Sequence, residues 1–133
     1  MRKYVLDANA LLAYLGQRPA APRVNALLKE ARRTNQPLLI SAVNWGEVVN
    51  TLWVQGGEAR ARHLPTIMDG LPIVLSSVSA DDAFEAARLK AIHKLPYADS
   101  FAAALAVRER ATLVTSDPDF ERLGKQVPIL WLR

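Results

Sequence analysis

Asp7, Glu47, Asp99 and Asp117 are the residues of this chain whose type and setting could do chemistry. Asp7 directly follows the apolar run Tyr4-Val5-Leu6, and Asp117 comes just after Thr112-Leu113-Val114-Thr115. Ligands bind beyond the carboxyl ends of strands in an open parallel sheet, so two carboxylates in that position can share one rim. Asp99 opens the nearly apolar run through Val107, where a buried charge needs compensation. Free amides and the positive start of a helix could supply it, and so could a cation. Glu47 lies in a helical segment with Val43, Val48 and Leu52, and Asn50 shares its side of that helix, where it could orient the carboxylate or hold a water. Asp119 could ligate through water or cap the turn begun at Pro118. Taken singly, each acid also has an ordinary reading as a cap or a solvated charge. Together on one rim they would repel unless a divalent cation entered, and an oxygen-only set favours Mg²⁺ or Mn²⁺. Such a cation can bind a nonbridging phosphate oxygen and orient a water for in-line attack.

Composition narrows the alternatives. The 133 residues suit one domain, residues 1–133, and half of them are apolar, enough for one core. The absence of cysteine removes disulfides, thiol nucleophiles and Cys-rich zinc sites. His63 and His93 lack a flanking nucleophile signature, and no Gly-rich phosphate loop or dinucleotide fingerprint is present. No stretch has the length of a membrane span and Asp7 interrupts the opening apolar run, so the expected location is the cytoplasm. The net charge is +4, and with the four acids set aside the bases outnumber the remaining acids nearly two to one. A basic body around an acidic pit suits a polyanion held by its backbone.

The elements that must position these acids alternate along the chain. Strands are expected at Tyr4–Leu6, Leu38–Ile40, Ile73–Leu75, Thr112–Thr115 and Val127–Leu130, the last at an edge because of Pro128. Helices are expected from Ala8 to Gly16, from Ala20 to Arg33, and from Ser41, the cap, to about Val54, with a stop at Gly56-Gly57. A further helix runs from Glu58 to about Met68, another follows a capping box of Ser79 and Asp82, and the last covers Ala98 to Val107. Short apolar strands separated by helices imply an α/β fold, a mostly parallel sheet with helices on both faces.

With these residues assembled, the sequence resembles PIN-domain nucleases, specifically toxins of the VapC branch of type II toxin–antitoxin modules. The resemblance spans the chain and rests on Tyr4 to Leu15, Ser41 to Asn50, Leu95-Pro96-Tyr97-Ala98-Asp99 and Leu113 to Phe120. It implies a PIN-like central sheet flanked by helices and an acidic pocket for Mg²⁺ or Mn²⁺. Its metal-binding acids fall on Asp7, Glu47, Asp99 and Asp117, with Asp119 assisting. Asn9 matches a position often held by Thr or Ser near the pocket, and Asn50, Thr115 and Ser116 are the other supporting polar residues. It further implies a homodimer, a small VapB-type antitoxin whose tail blocks the pocket, and cleavage of structured RNA that inhibits translation. On this reading Asp7, Asp99 and Asp117 hold one ion, Glu47 coordinates directly or through water, and hydrolysis leaves a 5′-phosphate and a 3′-hydroxyl. Arg18, Arg23, Arg60, Arg62 and Lys94 are candidate contacts to the RNA backbone. The alternative is a catalytically inactive nucleic-acid-binding or regulatory protein on the same scaffold. A haloacid-dehalogenase-type phosphatase is disfavoured because Asn9 stands where a second acid would be required.

Overall fold

The strands carry apolar side chains on successive residues because both faces of the sheet are covered. In the computed structural model, which describes residues 2–133, Val5 and Leu113 pack on one face with Phe101, Ala102 and Leu105. Leu6 and Val114 pack on the other with Val24 and Leu28. The strands are β1 (Tyr4–Leu6), β2 (Leu38–Ser41), β3 (Ile73–Ser76), β4 (Thr112–Thr115) and β5 (Ile129–Trp131). Every pairing is parallel, in the order β3-β2-β1-β4-β5. The sheet is thus wholly parallel where the sequence implied mostly parallel. The last strand is an edge strand as expected, but it begins at Ile129, so Pro128 lies just outside it rather than within it.

This order places the site. The chain steps from β1 to β2 to β3 in one direction, then returns so that β4 lies on the other side of β1. The order reverses between β1 and β4, which is where an open α/β sheet leaves a crevice at its carboxyl edge. Asp7 and Asp117 follow these two strands, and the Asp7 N–H continues the ladder to the Val114 carbonyl at 3.3 Å.

The helices are α1 (Ala8–Leu15), α2 (Ala21–Thr34), α3 (Ala42–Asp69), α4 (Ala80–His93) and α5 (Tyr97–Glu109), with a short 3₁₀ segment at Pro118–Leu123. Ser41 caps α3 by accepting the Val43 N–H at 3.2 Å. Ser79 and Asp82 form the reciprocal capping box of α4, with bonds of 3.1 and 2.9 Å. The expected stop at Gly56-Gly57 is a sharp bend: Gly57 has φ 84° and ψ −178°, and helix resumes beyond it. The α5 helix packs across β1, β2 and β4, which brings its first turn over the crevice.

Candidate metal centre

Asp7 serves two purposes at once. Its Oδ1 accepts the Ala10 N–H at 2.8 Å, capping α1, and its Oδ2 accepts the hydroxyl of Thr115 from the neighbouring strand. Only 3% of its surface is exposed. Burial raises its pKa to about 6; the bonds from Thr115 and Ala10 oppose that rise, while the charges of Asp117 and Glu47 add to it. Thr115 is fully buried and also accepts the Asp117 N–H at 2.9 Å, so one hydroxyl links both strand-end acids.

Asp99 stands in the first turn of α5, but the free amides there do not satisfy it: its Oδ2 is buried without a hydrogen-bond partner. Burial is the largest cause of a pKa raised to about 7, followed by the charges of Asp117, Asp7 and Glu47, with the Asp117 carboxyl close by. Asp7 and Asp99 therefore both lie within the fields of Glu47 and Asp117, although the four come from separate segments. One carboxylate oxygen from each of Asp99, Asp117 and Asp119 can be chosen so that all three lie within 4.8 Å of one another. Asp119 thus stands closer to this centre than its ambiguous sequence context indicated. It also faces Arg122 at 3.5 Å, while the Asp117 Oδ1 accepts the Asp119 N–H at 2.9 Å.

Glu47 is held by a residue that the sequence did not single out. The Asn44 amide donates to Glu47 Oε1 at 3.0 Å and to the Ala98 carbonyl at 3.0 Å. Asn50, the expected partner, lies on the exposed side of α3, because the buried stripe of that helix runs through Asn44, Val48 and Leu52. A polar residue in register with that apolar stripe was the available signal. Asn9 and Ser116 are exposed, so neither shares the burial of Thr115. Among the expected backbone contacts, Arg23 donates to the Trp131 carbonyl and Arg62 to Glu58 at 2.7 Å, whereas Arg18, Arg60 and Lys94 are exposed.

These donors fit a divalent cation. They are all carboxylates, Asp99, Asp117 and Asp119 converge, and a buried Asp99 oxygen has no partner among the described residues. The PIN domain family model matches residues 4–126. The chain belongs to the PIN domain family. A comparison with curated proteins found no match. Similar solved structures include VapBC2 from Rickettsia felis bound to a DNA fragment from its promoter, at 20% identity and TM-score 0.76 over 96% of each chain. VapBC-1 from nontypeable Haemophilus influenzae is similar at 20% identity and TM-score 0.72 over 97% of each chain. VapC20 from Mycobacterium tuberculosis, a toxin that cleaves the sarcin-ricin loop, is similar at 17% identity and TM-score 0.71, over 92% of this chain and 95% of that one. At these identities the likeness speaks for the PIN fold.

Proposed function

We propose that residues 1–133 form a Mg²⁺- or Mn²⁺-dependent endoribonuclease, the VapC-type toxin of a type II toxin–antitoxin module. The observation that supports this reading is the convergence of Asp99, Asp117 and Asp119 beyond β4, with Asp7 and Glu47 near enough to add their charges to the raised pKa of Asp99. Asp7, Asp99 and Asp117 would hold the cation, with Asp119 assisting and Glu47 coordinating directly or through water. When bound, the ion supplies Lewis acidity toward a phosphate oxygen and lowers the pKa of a water. Asp7 contributes a carboxylate immobilised by Thr115 and Ala10. Asp99 contributes a carboxyl oxygen that the fold has removed from solvent and left unpaired. Glu47, anchored at Oε1 by Asn44, would orient the nucleophilic water.

A nucleic-acid substrate is supported by the basic excess outside the centre and by the family's nuclease character. A VapB-type antitoxin and a homodimer are proposed from the VapBC complexes among the similar structures, with the cytoplasm as the place of action. Among the described residues no helix is long and apolar enough to cross a membrane. The test uses purified chain freed of antitoxin and labelled structured RNA. Cleavage in Mg²⁺ or Mn²⁺ that stops with EDTA and is lost in Asp7→Asn is expected. Binding that protects RNA without cutting it would identify the inactive scaffold instead. Mapping of RNA ends after induction of the wild type and Asp7→Asn in cells would then identify the target.

A further inference from the structure

We propose that Asn44 is a positioning residue of the acidic centre: by bonding Glu47 and the first turn of α5 together, it sets the span between the Glu47 and Asp99 carboxylates. This rests on the reading of that centre as a cation site. Asn44 has no exposed surface, and its Nδ2 bonds both Glu47 Oε1 and the Ala98 carbonyl, each at 3.0 Å. Both partners are acceptors, so the orientation of the amide is decided: turned over, its oxygen would face two other oxygens. Both hydrogens are therefore committed, one to a proposed ligand and one to the residue adjoining another.

The cost of this arrangement shows that packing is not its reason. Asn44 lies on the same buried stripe as Val48 and Leu52, where an apolar side chain would pack without penalty, yet its Oδ1 is buried and lacks a partner. The gain falls on the two groups that it bonds. Glu47 is half-buried, and without a donor at Oε1 its rotatable side chain could leave the crevice. Ala98 precedes Asp99, so the second bond fixes the turn of α5 from which Asp99 extends. Partners that orient a metal ligand commonly change metal affinity or activity by about ten- to a hundredfold when removed.

The test is Mn²⁺ titration of the full chain without RNA, followed by loss of the free-ion electron paramagnetic resonance signal. It compares wild type, Asn44→Ala, Glu47→Ala, the double variant and Asp99→Asn. Asn44→Ala is expected to weaken Mn²⁺ binding by roughly ten- to a hundredfold and to add little in the Glu47→Ala background. Its RNA turnover should recover as Mn²⁺ is raised, which a purely structural lesion would not do. Unchanged affinity in Asn44→Ala, or losses that multiply in full in the double variant, overturns the proposal. If Asn44→Ala does not fold, Asn44→Ser keeps a single donor for two acceptors and is expected to bind Mn²⁺ with an intermediate loss. Wild-type affinity in the serine variant likewise overturns the proposal. Weakening in Asp99→Asn without weakening at Asn44 removes only the positioning role. Unchanged Mn²⁺ binding in Asp99→Asn removes the cation site, and the proposal with it.

Discussion

Thr115 has no exposed surface and still satisfies both polar halves of its hydroxyl, donating to Asp7 and accepting from the Asp117 amide. Thr115→Val keeps the shape and leaves a buried carboxylate and a part-buried N–H each short of a partner. It is expected to cost about 1–3 kcal/mol in urea denaturation, with Thr115→Ser retaining most of that stability. Asp99 makes the opposite case, because its buried oxygen has no partner at all. Asp99→Asn is expected to reduce RNA turnover by at least about a hundredfold, the upper end of what loss of a supporting partner costs a metal site. The same change should raise the melting temperature of the metal-free protein at pH 8, since it removes a desolvated charge. A variant that melted lower and cut RNA normally would contradict the assignment. Both residues stood in readable sequence contexts, an acid opening an apolar run and a hydroxyl ending a strand. The bond between Thr115 and Asp7 was not readable, because Thr115 ends β4 whereas Asp7 follows β1.

Among the elements, α3 shows where local chemistry decides geometry. Gly57 occupies a backbone region with φ 84° and ψ −178° that is essentially confined to glycine, and a Cβ added there would meet nothing within 4 Å. The penalty for Gly57→Ala is therefore one of backbone alone, expected at about 1–3 kcal/mol by chemical denaturation. At Gly56 an added Cβ would come within 2.4 Å of the Arg60 side chain, a flexible group that can move aside. A stability change confined to Gly56 would refute this division. The paired glycines made the break legible in the sequence, but not which of the two would carry it. The capping box of α4 and the proline beside β5 were legible for the same reason, since each acts on its immediate neighbours.

For the molecule as a whole, the gathered acids make stability depend on both pH and metal. The folded chain raises Asp7 from 3.8 to about 6 and Asp99 from 3.8 to about 7. Native protein thus holds more protons than unfolded protein between these values, so stability falls as pH rises. The contribution is fully present below the unfolded value near 3.8 and is lost as pH rises through about 6 and then about 7. A divalent cation competes with those protons and binds only the native cluster, so its stabilisation grows with pH. Thermal denaturation with and without millimolar Mn²⁺ is expected to show a larger shift at pH 8 than at pH 5.5. A shift of equal size at both pH values, or a larger one at the lower, would contradict this linkage.

The sequence by itself determined the alternation of strands and helices, the caps and the break in α3, because these follow from apolar periodicity and from glycine, proline and serine acting over a few residues. It also placed Asp7 and Asp117 at strand ends, and the family resemblance extended that set to Glu47. Tertiary structure decided what those acids meet. The reversal of strand order sets β1 beside β4, the crossing of α5 brings Asp99 over the crevice, and the rotation of α3 turns Asn44 inward and Asn50 to solvent. Asn44 and Asn50 are each three residues from Glu47, one on either side, so helical spacing alone cannot choose between them. The choice belongs to the buried face against the sheet and α5, and that face is set by contacts between segments far apart in the chain.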